Sequence, residues 1–137
     1  MRHLGRQHGY YPQDDMDEAF SIDWVFETQA DFWGTKAYRL FFRPSDNAEE
    51  QAEGVAHFDK FNKQIEARLT TQGSRFMAGE RLTIADFLVF SIYMSMVQNP
   101  ATGNEAAQAL FAEKVSESVK VNAWIEVMKG EMTAYMA

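Results

Sequence analysis

Glu27 and Asp31 stand four residues apart in the segment IDWVFETQADF. On a helix, positions 20, 24, 27 and 31 share one face, which sets Phe20 and Trp24 beside these two acids. Like charges at that spacing repel by roughly 0.2–0.5 kcal/mol. Such a pair beside bulky aromatics is odd for a plain solvated face. The chemistry open to a carboxylate there is a charge-assisted bond to a cation; the plainer alternative is a solvated acid on a helix surface. From the residues alone both readings stand, and Glu27 suits a structural salt bridge better than Asp31 does.

A third carboxylate, Asp86, sits inside the most apolar stretch of the chain, RFMAGERLTIADFLVFSIYMSMV. If Thr83 is the N-cap of a helix, Asp86 is its third residue. The Thr83 hydroxyl can then accept from the residue 86 N–H while the Asp86 carboxylate accepts from the Thr83 N–H, forming a capping box. Leu82 and Phe87 fall at the two positions of a hydrophobic staple. The first N–H groups of so apolar a helix lie away from water and need internal partners. Thr83 and Asp86 are therefore expected to be a folding device and not a catalytic pair.

Other chemistries are poorly represented. The chain has no cysteine and three histidines, His3, His8 and His57. A thiol nucleophile, a disulfide and a thiolate metal site are excluded, and the histidines lack metal-ligand spacing. No phosphate loop or nucleophile elbow is present. No metal is expected.

The elements that must position these residues are helical throughout, with no strand alternation. A first long helix opens on the acids of DDMDE, which suit the positive end of a helix dipole. It carries Ile22, Val25, Phe26, Ala30, Trp33, Ala37, Leu40 and Phe41 inward, with a bend near Gly34, and ends at Pro44. A second helix runs from about Asn47 to about Thr71, burying Val55, Phe58, Phe61 or Asn62, Ile65 and Leu69, with Gly73 as its stop. The apolar run from Thr83 is the third and should lie at the centre of the bundle. A fourth spans roughly Asn104 to Val115, with Leu110, Phe111 and Val115 inward. A fifth covers about Lys120 to Tyr135, burying Val121, Trp124, Ile125, Met128, Met132 and Tyr135. The expected fold is all-α, a bundle of about five helices.

Composition agrees with one folded domain: 137 residues, 46% hydrophobic and 14% aromatic. The net charge of −7 and the absence of a basic stripe argue against a nucleic-acid partner. The run from Ile84 to Val97 is too short for a bilayer span, and no apolar segment follows the basic residues of the N-terminus. No membrane association and a cytoplasmic location are expected.

The segment FMAGERLTIADF, residues Phe76 to Phe87, resembles the signature of the glutathione transferase C-terminal domain. That signature reads aromatic, aliphatic, small, Gly, two polar residues, Leu, Ser or Thr, any residue, Ala, Asp. IDWVFETQADF is similar to the first helix of that domain in the alpha, mu, pi and sigma-like cytosolic classes. RHLGRQHGYYP resembles the last turn of the preceding thioredoxin-like half and its linker. The resemblance divides the chain into such a remnant over residues 1–12 and a helical domain over residues 13–137, with the thioredoxin-like half missing.

The resemblance implies conjugation of glutathione to small hydrophobic electrophiles, glutathione being a co-substrate with no other cofactor, in a homodimer that serves detoxification. It implies that Asp31 reaches the γ-glutamyl ammonium of glutathione bound by the neighbouring subunit. In the family the electrophile pocket is lined by the first helix, the third helix and the C-terminal segment, where Trp33, Tyr38, Phe42 and Tyr135 could contribute; a helical aromatic stripe is more often simple core, and none of the four is assigned to the site. The hydroxyl that stabilises the glutathione thiolate belongs to the absent half, so no catalytic residue is expected here and the chain alone should be inactive. Tyr10 and Tyr11 fall in the linker and would pack between the halves. The alternative is a non-catalytic protein-interaction module of the same fold.

Overall fold

A computed structural model describes residues 1–99, 101 and 104–133. It contains seven helices and no strand among the described residues: α1 Arg2–His8, α2 Met16–Trp33, α3 Lys36–Phe42, α4 Ala48–Gln72, α5 Ile84–Met96, α6 Glu105–Ser116 and α7 Val119–Glu131. The all-α class stands, with two helices beyond the expected five. One is α1. The other arises because the expected long first helix does not bend at Gly34 but breaks there into α2 and α3.

The break has a local cause. The N–H and the hydroxyl of Thr35 both bond the Phe32 carbonyl, at 3.0 and 2.7 Å. Thr35 itself is extended and serves as the N-cap of α3. A threonine that offers the backbone such a bond competes with helix continuation, and Gly34 before it contributes little helix preference. Elsewhere the boundaries carry ordinary caps. Asp15, Asn47, Asn104 and Ser118 each accept from backbone N–H groups at the starts of α2, α4, α6 and α7. Gly73 closes α4 with φ 60, a conformation in which side chains other than glycine are strained.

The buried faces differ from the expected ones at several points. In α2, Thr28 and Gln29 are buried with Ile22, Val25 and Phe32, while Ala30 is exposed and Trp33 is 38% exposed. In α4 both Phe61 and Asn62 are buried. The Asn62 amide accepts from the Tyr93 hydroxyl at 2.8 Å and donates to the Lys114 carbonyl at 3.3 Å, so a polar pair ties α4, α5 and α6 inside the core. In α7, Val121, Trp124, Ile125 and Met128 are buried and Met132 packs partly against them; Tyr135 lies outside the described residues.

The expected central position of α5 is only part of the arrangement. α5 is the most buried helix for its length, yet α4 is the spine, packing against α2, α3, α6 and α7. Apolarity reports burial, but the number of neighbours follows length, and α4 has 25 residues against 13 in α5. The interior is strongly aromatic. Phe58 stacks on Phe111 at 4.4 Å and Phe32 on Phe61 at 4.5 Å, linking α2, α4 and α6.

Residues 1–12 dock onto the same body. The Ile84 N–H donates to the Tyr10 carbonyl at 3.0 Å. Tyr11 is buried, its hydroxyl near both Asp23 oxygens, and Tyr10 meets Phe87 edge-on at 5.2 Å. Both tyrosines thus pack within this chain.

Candidate functional site

The acidic face of α2 lies on the surface. Phe20 is 72% exposed, Glu27 and Asp31 are exposed, and Trp24 is half-buried. The Trp24 ring carries the Arg68 guanidinium 5.4 Å from its centroid. Arg68 also donates to the Met77 carbonyl at 3.1 Å, and burial lowers its pKa. Neither Glu27 nor Asp31 has an ion-pair partner among the described residues.

Asp31 sits in the last turn of α2, where its carbonyl accepts from Gly34, and that turn holds no basic residue. Helix C-termini carry partial negative charge, so an acid there is electrostatically unfavourable. An unpaired carboxylate in the last turn of a helix, with a second unpaired carboxylate one turn before it, is suited to an incoming cation. We expect Asp31→Lys to raise the stability of the free chain by about 0.5–1 kcal/mol, since it removes one like-charge pair and reverses the sign at the helix end. An unchanged or lowered urea midpoint would contradict this.

Beyond Asp31 the α2–α3 junction opens into a groove of about 410 Å³. Trp33, Tyr38 and Phe42 line it together with Arg39 and Arg43. Tyr38 joins the two outer rings, lying 4.5 Å from Trp33 at 88° and 4.6 Å from Phe42 at 54°. Phe42 is 57% exposed. Three of the four aromatics named for the pocket wall are therefore brought together, and the fourth, Tyr135, lies outside the described residues. Sequence reasoning missed the two arginines, although Arg39 and Arg43 follow the aromatics at helical spacing.

Asp86 has a different environment. It is 0% exposed, and four donors converge on it. Oδ1 accepts from the Met77 N–H at 2.9 Å and the Trp124 indole N–H at 3.2 Å. Oδ2 accepts from the Thr83 N–H at 2.9 Å and the Thr83 hydroxyl at 3.0 Å. Both halves of the capping box are present. Burial raises the pKa of this carboxyl, and the bonds from Met77, Thr83 and Trp124 pull it back in part. The carboxylate thus joins the loop before α5, the first turn of α5, and α7. The bonds from Met77 and Trp124 were not foreseen; the available signal was Trp124 on the apolar face of α7, because a buried indole needs an acceptor.

Among the described residues no group of three or more histidines or acids is placed to hold a metal ion. No described helix is long and apolar enough to cross a membrane. The family model described as glutathione S-transferase, C-terminal domain, matches residues 31–127, a span that takes in Asp31, the aromatic groove, Thr83 and Asp86. No curated protein matches the chain.

Proposed function

The chain belongs to the glutathione S-transferase C-terminal domain family, and on that premise we propose that it is the helical part of a transferase joining glutathione to small hydrophobic electrophiles. In this reading residues 13–137 form the helical domain and residues 1–12 lead into it from a thioredoxin-like half. A preformed thiolate attacks the electrophile, so catalysis rests on lowering the thiol pKa and on positioning both reactants. The chain contributes position and surface: the groove at the α2–α3 junction walls the electrophile, and part of the helical surface forms a dimer interface. Asp31 receives the γ-glutamyl ammonium of glutathione from the neighbouring subunit. The thiolate-stabilising hydroxyl lies outside this chain, which on its own has no turnover. The location is cytoplasmic.

The observation that carries this reading is the exposed, unpaired Asp31 at the first residue of the family match. The experiment begins with the native protein from its own cells, identified by peptides of this sequence. The expected species is heavier than 15.7 kDa, retained on immobilised glutathione, and active in conjugation. In that species Asp31→Asn is expected to raise KM for glutathione about five- to tenfold with kcat largely kept, as for loss of a ground-state charge pair. Unchanged KM would remove Asp31 from the site.

A second reading, a protein-interaction module, draws on one feature. Met1 and Leu4 are each 60% exposed and border a shallow apolar recess with Tyr10, Ile84 and Phe87. A native species of 15.7 kDa with no glutathione affinity and a stable protein partner would decide for that reading.

A further inference from the structure

One arginine ties three distant parts of the chain together. Arg81 donates from Nε and Nη2 to the two Glu18 carboxylate oxygens, at 2.7 and 2.6 Å, and from Nη1 to the Gly9 carbonyl at 2.9 Å. These acceptors lie 63 and 72 positions away, in the first turn of α2 and at the C-cap of α1. No other basic side chain makes more than one such bond among the described residues. An exposed ion pair contributes little as a rule, but a two-pronged guanidinium–carboxylate pair fixes a geometry. The Glu18 side chain is only 16% exposed, so screening by solvent is reduced on its side.

Gly9 is where the chain turns out of α1, with φ 78 in the left-handed region. A Cβ there would meet nothing within 4 Å, so packing at this residue does not limit the angle. The Gly9 carbonyl and the next one are instead held by one short segment, through Arg81 and through the Ile84 N–H, which reaches Tyr10 at 3.0 Å. That segment is pinned in turn by Asp86, which takes the Thr83 N–H. We infer that Arg81 is a positioning residue: it locks the Gly9 joint and so sets how the part of the protein carried by α1 meets the helical domain. The inference rests on the transferase reading, in which α1 leads in from the thioredoxin-like half; the lock then holds the glutathione thiol against the electrophile groove. The planar guanidinium reaches carboxylate and carbonyl together, which the point charge of a lysine does not. Holding two reactants in register acts on the reacting geometry more than on the binding of either one.

The test has two arms. The chain has no cysteine, so His3→Cys in α1 and Gln64→Cys in α4 give two clean spin-label sites on exposed positions. The full chain is expected to show one narrow distance between them. Arg81→Gln should widen that distribution about twofold, as the joint samples further angles. Arg81→Lys should widen it less, and so should Glu18→Gln, which leaves the Gly9 bond in place. Arg75→Gln removes the Glu131 pair from the same loop, away from the joint, and should leave the width unchanged. Thermal melts check that each variant is folded. In the native protein, Arg81→Gln is expected to lower kcat about tenfold and to leave KM for glutathione within about twofold, with Arg81→Lys recovering part of the loss. An unchanged width in Arg81→Gln overturns the lock. A widened distribution with unchanged kcat overturns the positioning role. Absence of conjugation by the unmutated native protein overturns the transferase reading and the catalytic role drawn from it, while the label distances still decide whether Arg81 locks the joint.

Discussion

Asp86→Ala is expected to destabilise the chain by about 3–5 kcal/mol, enough to remove much of the ~5–15 kcal/mol typical of a domain. The reason is the number of donors left behind. The Met77 N–H, the Thr83 N–H and the Trp124 indole N–H have Asp86 as their acceptor, and all three bonds are buried. The Thr83 hydroxyl can rotate toward another acceptor, but the three N–H groups are fixed by backbone and ring. A buried donor without a partner costs about 1–3 kcal/mol.

Asp86→Asn should be milder, at about 1–3 kcal/mol. Its amide oxygen can serve Met77 and Trp124, while its NH2 faces Thr83, whose hydroxyl can turn to accept but whose N–H is then unpaired. Urea denaturation of both variants separates the two cases. An alanine variant no less stable than wild type would mean that these bonds do not hold the three elements together.

The pH dependence has a definite sign. Burial raises the native Asp86 pKa above its ordinary value. The native state therefore keeps its proton over a window in which the unfolded chain has released it. The associated stability is fully present below the ordinary carboxylate pKa and is lost as pH climbs through the raised native value. A protonated Asp86 can still satisfy its surroundings by donating to the Thr83 hydroxyl, which then accepts. The stability gap between wild type and Asp86→Asn should narrow as pH rises through the acid range, other carboxylates being common to both. A gap that widened would mean that the four hydrogen bonds outweigh burial.

The second large effect is at Gly54, where α4 crosses α3. A Cβ placed there would lie 2.7 Å from Leu40 Cδ2, 3.0 Å from Leu40 Cβ and 3.3 Å from the Lys36 carbonyl oxygen. The methyl can move aside, but the Leu40 Cβ and the backbone oxygen can move only with α3. Gly54→Ala gains helix preference of about 1 kcal/mol, which offsets part of the strain. Gly54→Val has a smaller gain and two more atoms to place, so it should cost about 2–4 kcal/mol.

This substitution also bears on the groove. α3 is only seven residues long and carries Tyr38, Arg39 and Phe42. Its C-terminal carbonyls at Leu40 and Phe41 are held by the Asn104 amide at 2.8 and 3.3 Å. Displacing α3 from α4 moves the groove wall as a unit. Gly54→Val should therefore lower the urea midpoint, with the wall of the groove displaced along with α3. A variant of wild-type stability would show that α3 yields without cost.

Much of the architecture was legible without coordinates, because helical periodicity and capping are local. The all-α class, the apolar run of α5, the Gly73 stop and the pairing of Thr83 with Asp86 each depend on residues within a few positions of one another. The placement of Glu27 and Asp31 on one face follows from the helical repeat alone, and the exposure of that face is in the structure. Where local signals competed, the reading was less complete: Thr35 breaks the first helix because its hydroxyl captures a carbonyl, an effect that apolar spacing does not register.

Only the tertiary structure decided what meets across the chain. Trp124 reaches Asp86 over 38 positions, Asn104 holds the end of α3 over 64, and Tyr93 finds Asn62 over 31. Such partners are selected by which helix lies alongside which, and this follows from the summed packing of whole faces. The chain by itself determined which helices form and which faces are apolar; the fold determined which polar groups are enclosed and which remain unpaired at the surface, because burial and pairing are properties of neighbours brought together from afar.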